Sequence, residues 1–426
     1  MNTIKEEFSK ELNERTYSTH LSNGLTVYIC KKEKQSKKIG MFGTKYGSVH
    51  NDFIDITTNE RVKVPDGVAH YLEHKLFEQE GANALDLFSK EGISSNAYTS
   101  FDHTVYYFET ADKFDLGLEM LIKLVRTPYF TKENVEKERG IIGQEISMYD
   151  DDPSFSVYFE ALKNMYHVNP VNIDIAGTIE SISHITKDIL YTCYNTFYNL
   201  NNMFIVIIGD VDVEDTINKI EEHVKKYTRE NRTNEIIKYT LNEPDSIVKD
   251  FSEKDMKLSM PLINIGFKEE IALKNDVVKM DILSQIVSEM YLAKNSDFYE
   301  KMYNKEMVSD YMYMFYEGAK EYSHLILTTE SKCPKKAAEE IKKYVINLKN
   351  EKIDEELLEI TKKQLLGEFI MKSEDPHNSY RRIIDTILNE NDLYYSIELL
   401  KNVTVLDVKE FLNKLNEENC TVSIVK

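Results

Sequence analysis

Residues 67–78 read Gly-Val-Ala-His-Tyr-Leu-Glu-His-Lys-Leu-Phe-Glu, and this stretch carries the strongest chemical pattern in the chain. We predict a helix here, with Asp66 as its N-cap. His70 and His74 are four residues apart, so their imidazoles leave one face of that helix at about 40° to each other. Two such nitrogens can reach one zinc ion at about 2.0–2.1 Å, and Glu73 lies close enough to act on a water there. The order His-x-x-Glu-His therefore predicts a zinc site on this helix.

A third ligand is expected from the acidic stretch at residues 136–145, which reads Glu-Lys-Glu-Arg-Gly-Ile-Ile-Gly-Gln-Glu. Glu138 and Glu145 are seven residues apart, which is two helical turns to within about 20°, so they stack on one face. One of them can bind the metal while the other supports a ligand from behind. Taken alone, the pair is more commonly a charged, solvated helix face.

The order of predicted strands and helices repeats along the chain. The first strand is predicted at residues 25–30. The second half of the chain resembles the first half in two strands and in the helix between them. Residues 324–329 resemble 105–110, residues 335–348 resemble 113–126, and residues 420–425 resemble 203–208. Such self-similarity predicts two copies of one α+β domain, related by internal duplication. We place the domains at residues 1–227 and 251–426, with a polar linker at 228–250.

With these features together, the chain resembles the insulinase/pitrilysin family of zinc peptidases over nearly its whole length. Its half-size bacterial branch offers the most similar pattern. The resemblance is carried by the two-domain repeat and by the following segments: residues 21–27, 67–78, Glu138 with Glu145, and 143–146.

The resemblance implies a mitochondrial-processing-peptidase-like metallohydrolase fold and one Zn²⁺ per chain. Carried over residue by residue, His70, His74 and Glu145 would be the zinc ligands. Glu73 would be the general base, and Glu138 would be the acid that supports a ligand.

Residues 94–100, Ser-Ser-Asn-Ala-Tyr-Thr-Ser, resemble the family's active-site edge strand. An edge strand has free N–H and C=O groups, so an extended peptide can pair with it. Asn96 and Ala97 are the residues expected to bind the substrate. The alternative is a strand inside the sheet with Asn96 at a bulge.

The second domain lacks the metal motif. Aligning Gly367 on Gly143 puts Phe369 opposite Glu145, and the helix around residues 279–284 has no histidine. We therefore expect one metal site per chain.

The resembling family also carries an Arg and a Tyr, seven residues apart in the C-terminal half, that reach the substrate. By that register, Met302 and Ser309 stand in their places. The resemblance therefore implies a heterodimer with a homologous chain that supplies Arg and Tyr. A homodimer is the alternative.

Charge and composition exclude several classes of protein. The net charge is −20, from 73 acidic and 53 basic residues, which argues against nucleic-acid binding. Four scattered cysteines predict a reducing compartment. The first residues show no signal-peptide pattern and no apolar run of about 18 residues occurs, so we expect a cytoplasmic protein without a membrane span.

The expected function is that of a zinc-dependent endopeptidase or oligopeptidase acting on extended peptides, as one half of a dimeric clamshell. Two alternatives stay open. One is a non-catalytic scaffold or binding subunit of the same fold, and the other is a dedicated peptidase for a precursor peptide of the bacteriocin type.

Overall fold

The structure is a computed structural model that describes residues 3–228, 235–239, 242–269 and 277–426. The strands within these ranges are, in chain order, β1 (Lys5–Ser9), β2 (Glu14–His20), β3 (Thr26–Lys31), β4 (Lys38–Thr44), β5 (Asp52–Ile54), β6 (Arg61–Lys63), β7 (Glu78–Gln79), β8 (Ala82–Asn83), β9 (Ser94–Thr99), β10 (Thr104–Thr110), β11 (Met203–Gly209), β12 (Phe251–Lys254), β13 (Leu262–Lys268), β14 (Met312–Gly318), β15 (Ser323–Glu330) and β16 (Cys420–Val425).

The α-helices are α1 (Val68–Phe77), α2 (Ala84–Lys90), α3 (Phe114–Arg126), α4 (Lys132–Asp150), α5 (Pro153–Met165), α6 (Ile179–Ser183), α7 (Lys187–Phe197), α8 (Val213–Tyr227), α9 (Val277–Tyr291), α10 (Asp297–Asn304), α11 (Pro334–Asn347), α12 (Glu355–Ser373), α13 (Pro376–Asn389), α14 (Tyr395–Asn402) and α15 (Val405–Asn413). In the ranges that the structure describes, no helix is both long and apolar enough to cross a membrane.

The larger sheet has seven strands in the order β1-β2-β3-β11-β4-β10-β9. Strands β3 and β11 are parallel, and the other neighbours are antiparallel. The central strand β11, Met-Phe-Ile-Val-Ile-Ile-Gly, is buried along its whole length because it is covered on both faces. Strand β9 lies at the edge, as predicted, and its register with β10 is unbroken from Ser94 to Thr99. Asn96 is therefore not at a bulge.

The smaller sheet has five strands in the order β12-β16-β13-β15-β14. Its parallel pair, β12 and β16, takes the place of β3 and β11, and its other neighbours are antiparallel. The predicted α+β fold with two homologous domains is confirmed.

The chain divides into two compact units, each drawn from three segments. The first unit comprises Met1–Ile146, Asp174–Thr240 and Lys372–Leu393, and the second comprises Ser147–Ile173, Leu241–Met371 and Tyr394–Lys426. The division into residues 1–227 and 251–426 follows homology and stays a prediction. Of the predicted linker at 228–250, residues 229–234 and 240–241 lie outside the described residues.

Each unit therefore includes a helix that is distant in sequence from most of its sheet. In the first unit, α13 packs on β11. A buried ion cluster fixes it there, because the Glu14 carboxylate accepts hydrogen bonds from Arg382 and Lys32. Burial raises the pKa of Glu14, but the two cations outweigh it and leave that pKa below its usual value. In the second unit, α5 packs on β13 and β16.

Two expectations about local structure were wrong. The first strand was expected at residues 25–30, but β1 and β2 precede it and extend the sheet. The N-cap of α1 is Gly67 and not Asp66, whose carboxylate accepts a hydrogen bond from Asn51 at 2.7 Å. Gly67 has φ +89°, and a Cβ there would lie 2.4 Å from the Ala176 carbonyl oxygen. Only glycine fits this entry to the helix.

Candidate metal centre

The two histidines of α1 and one glutamate of α4 converge in the first unit. One ligand atom from each of His70, His74 and Glu145 lies within 4.8 Å of the others. Nε2 of His70 is 3.7 Å from one Glu145 oxygen, and Nε2 of His74 is 3.4 Å from the other. Ligands at about 2.0–2.1 Å from a tetrahedral zinc ion stand about 3.3 Å apart, so the donor set fits a zinc ion.

The two glutamates of α4 have different positions relative to His74. Glu145 approaches Nε2, on the side of the ligand atoms, whereas Glu138 is 3.1 Å from Nδ1, on the opposite side of the ring. An acceptor at Nδ1 keeps the proton there and leaves Nε2 free to bind a metal. This geometry assigns Glu145 to the ligand side and Glu138 to a supporting position. Nδ1 of His70 is buried and has no hydrogen-bond partner within the described ranges.

Contacts at the start of helix α4 and along its buried face hold this helix in place. The Thr131 hydroxyl accepts from the Asn134 amide, and the Asn134 side chain accepts from the Thr131 amide, which together cap the helix. Ile142 and Ile146 are buried in the core. The Tyr71 hydroxyl of α1 donates to a backbone carbonyl of α4. These contacts hold the glutamates toward α1.

The charges of the cluster favour a cation. Burial lowers the pKa of His74, but hydrogen bonds to Glu138 and Glu145 outweigh it and raise that pKa to about 10. Hydrogen bonds from His70 and His74 hold the pKa of Glu145 well below its usual range. Burial raises the pKa of Glu138, but His74 and Lys75 lower it overall. The site thus stabilises positive charge between anionic carboxylates, as a metal site does.

Glu73 is nearly buried, with 8% of its surface exposed, and lines a cavity beside His74. Its Oε2 accepts a hydrogen bond of 2.7 Å from the Thr99 hydroxyl of β9. Thr99 fixes one carboxylate oxygen and so limits the rotation of the side chain. No role was predicted for Thr99, although it lies in the same Ser-Ser-Asn-Ala-Tyr-Thr-Ser stretch that predicted the edge strand.

The cavity has a volume of about 500 Å³. Glu73, His74 and Glu138 are among its polar lining residues, and its lining also includes four large apolar or aromatic side chains: Phe77, Leu85, Tyr129 and Ile141. Asn96 reaches the same cavity, whereas Ala97 packs against the core. Of the two residues expected to bind substrate, Asn96 therefore lies beside the centre, and the Ala97 amide donates to Oδ1 of Asn96 at 2.9 Å.

The described residues of the second unit contain no comparable group. Across the described ranges, the cluster of His70, His74 and Glu145 is the only set of three or more His, Cys, Asp or Glu side chains with metal-ligand spacing. Met302, at the position where the family has Arg, is fully buried. The Ser309 hydroxyl, at the position of Tyr, donates to Glu330.

Two family models match the chain. Residues 59–179 match the model described as insulinase (peptidase family M16), and residues 184–365 match the one described as the peptidase M16 inactive domain. The first match contains the whole candidate centre. The second covers most of the part in which the metal motif is missing.

Relatives and solved structures agree with these matches. The chain is 36% identical to Bacillus subtilis YmfH, described as an uncharacterized zinc protease, over 95% of each chain. A crystal structure from Alicyclobacillus acidocaldarius, described as M16-like, has 31% identity and a TM-score of 0.92, covering 97% of this chain and 98% of that one. The Escherichia coli periplasmic protease PqqL shares the fold, with 16% identity and a TM-score of 0.72. This chain matches it over 99% of its own length and 48% of PqqL.

Proposed function

The chain belongs to the insulinase family, peptidase family M16, and from that premise we propose that it is a zinc-dependent peptidase that hydrolyses extended peptides. The observation that carries the proposal is the convergence of His70, His74 and Glu145 beside Glu73. The names of the relatives, which include zinc proteases, support zinc as the metal.

His70, His74 and Glu145 would hold one zinc ion, and Glu138 would orient His74 through Nδ1. When bound, zinc supplies Lewis-acid polarisation of a carbonyl and makes water more acidic. The three donors come from two helices that are tied together by the Tyr71 hydrogen bond, which supports a site organised before the metal arrives.

Glu73 would act as general base and then as general acid. It would take a proton from the attacking water and later deliver it to the leaving amine. The Thr99 hydroxyl binds one oxygen of Glu73, so the other oxygen is the one available for proton transfer. Because Glu73 has only 8% of its surface exposed, bulk water competes little for that position.

The free edge of β9 would bind the substrate backbone, with Asn96 and Ala97 at its centre. Backbone pairing tolerates many sequences, which suits a peptidase with a broad substrate range. The cavity beside Glu73 would accept one large apolar side chain, since Phe77, Leu85, Tyr129 and Ile141 line it.

The test is to measure the zinc content and peptide cleavage of the purified chain. We expect about one zinc per chain, cleavage of unstructured peptides, loss of cleavage with a chelator, and recovery with added zinc. A scaffold or binding subunit would contain no stoichiometric zinc, and that result would refute the peptidase proposal.

We also propose that the working enzyme is a dimer. The chain matches about half of PqqL, and Met302 and Ser309 do not provide the Arg and Tyr of the family. A homologous partner would supply them, although a homodimer would also close the cleft. The purified chain should gain activity across a peptide library when its genomic neighbour is added. High activity of the chain alone, unchanged by the neighbour, would exclude the heterodimer.

Two finer expectations stay predictions. A cytoplasmic location agrees with the four cysteines, which are all free thiols. Whether the substrate is a dedicated precursor peptide is tested by the gene neighbourhood and by the digestion profile of the purified protein.

A further inference from the structure

Lys75 follows His74 on α1, yet its side chain is completely buried. Lysine is rarely buried in full, because removing an ammonium group from water is costly unless anionic or carbonyl partners surround it. Its environment therefore has to supply such partners, and they lie between α1 and α4.

Three groups surround the Lys75 ammonium. It donates to the Glu78 carboxylate and, at 3.1 Å, to the backbone carbonyl of Asn134 in α4. It also lies 3.6 Å from Oε2 of Glu138. The other oxygen of Glu138, Oε1, contacts Nδ1 of His74. The two oxygens of Glu138 thus have different partners, the lysine on one side and the histidine on the other.

We propose that Lys75 is a positioning residue of the metal centre and acts through Glu138. The ammonium fixes Oε2, so Oε1 is directed at Nδ1 of His74, and the Nε2 atom is presented to the metal. Lys75 itself touches no ligand atom of the site. The inference rests on the proposed zinc centre and adds to it a cation–carboxylate–imidazole chain.

A purely structural role for Lys75 makes a different prediction. The Lys75–Glu78 pair and the bond to Asn134 tie α1 to α4, and losing them lowers the stability of the fold. That loss would not depend on whether residue 138 is a glutamate. An effect through Glu138 disappears when Glu138 is already removed, so a double-mutant cycle separates the two roles.

The experiment measures zinc affinity by competition with a chelator in wild type, Lys75→Met, Glu138→Gln and the double variant. Supporting residues of metal ligands typically change affinity by about 10- to 100-fold, and we expect about 10-fold weaker binding for Lys75→Met. In the Glu138→Gln background, the same change should have less than about a 2-fold effect by the same reasoning.

The matched control is Lys137→Met, which removes the same charge from an exposed position next to Glu138. It should keep wild-type zinc affinity. If Lys75→Met does not fold, as judged by circular dichroism, Lys75→Gln replaces it in the cycle. The glutamine is polar and can still donate to the Asn134 carbonyl.

Two results would overturn the inference without affecting the proposed zinc centre. One is an unchanged zinc affinity in the folded Lys75 variant, and the other is an equal loss of zinc affinity with Glu138 and with Gln at position 138. A wild-type chain that binds no zinc would overturn the zinc centre, and this inference with it.

Discussion

The two units build the same central sheet, but among the described residues only the first carries a group with metal-ligand spacing. Strands β3-β11-β4-β10-β9 have the same order and directions as β12-β16-β13-β15-β14. In the first unit, α1 presents His70 and His74, whereas α9 has no histidine. The sheet and its buried core therefore do not depend on the polar site, which occupies one copy of the scaffold.

Two histidines, the half-buried His74 and the fully buried His324, show how the units use the same side chain differently. His74 faces two carboxylates, and its pKa is raised to about 10 despite its burial. His324 in β15 lies in the core of the second unit beside the hydroxyls of Tyr158 and Tyr166, and burial lowers its pKa to about 3. Depth and neighbours both differ: the His74 side chain is 23% exposed and contacts two carboxylates, whereas His324 is fully buried and has the Glu317 carboxylate 4.0 Å from its Nε2.

The largest expected effect follows from replacing Glu73, the proposed general base. Glu73→Gln keeps the shape of the side chain but cannot accept a proton, so we expect a drop in kcat of about 100- to 10,000-fold with zinc and folding retained. Glu289→Gln in α9 of the second unit is the matched control and should keep full activity. Wild-type turnover in the Glu73 variant would remove this residue from the mechanism.

The next effect separates the two acids of α4. Glu145→Gln loses an anionic ligand oxygen and should weaken zinc binding by more than about 100-fold, whereas Glu138→Gln should weaken it by about 10- to 100-fold. Glu368→Gln in α12, the corresponding helix of the second unit, should leave zinc affinity unchanged. The reverse ranking in metal analysis would mean that Glu138 is the ligand.

A smaller effect is expected at Thr99. Thr99→Val removes the hydrogen bond to Glu73 without changing the size of the side chain, and kcat should fall by about 10-fold, since such bonds to charged groups contribute about 1.5 kcal/mol. KM and zinc affinity should not change, and Thr99→Ser should restore kcat. Ser95→Ala in the same strand is the control, because that hydroxyl donates to the Tyr107 carbonyl. An inactive Thr99→Ser would exclude a role for the hydroxyl.

The smallest effect concerns the neutral histidine of the second unit. Because the pKa of His324 is about 3 in the fold and 6.5 in the unfolded chain, only the unfolded chain takes up a proton as the pH falls below 6.5. The free energy of unfolding should therefore fall by about 0.8 kcal/mol at pH 6 relative to pH 8 through this group.

His324→Asn should lose this part of the pH dependence, measured as the urea midpoint by circular dichroism, even if it is less stable at every pH. His184→Gln changes an exposed histidine of the first unit and is the control, which should retain it. An unchanged pH dependence in the His324 variant would show that folding does not lower the pKa of this histidine.

Much of the scaffold followed from apolar periodicity and from one motif. The predicted helix at residues 67–78 is α1, and the repeated strand predicted at residues 203–208 is β11. Strands β1 and β2 escaped prediction because Lys-Glu-Glu-Phe-Ser and Glu-Arg-Thr-Tyr-Ser-Thr-His contain no apolar run, as suits the outer strands of a sheet.

The residues around the centre were harder to predict than the centre itself. His70, His74 and Glu145 have diagnostic spacings within helices. Thr99, by contrast, meets Glu73 across 26 positions of sequence, and only the packing of β9 against α1 joins them. Lys75 reads as a surface lysine, because nothing in a sequence shows that a charged side chain is buried.

The first unit includes a helix, α13, that comes late in the sequence. This has a consequence for synthesis of the protein on the ribosome. The first unit contains all of the proposed metal ligands by residue 146, but it includes α13, whose Arg382 pairs with the buried Glu14. Until that helix leaves the exit tunnel, the Glu14 carboxylate has Lys32 but lacks Arg382, and one face of β11 is uncovered. The first unit can therefore finish folding only when almost the whole polypeptide has been translated. A nascent chain stalled after residue 250 would need protection by chaperones.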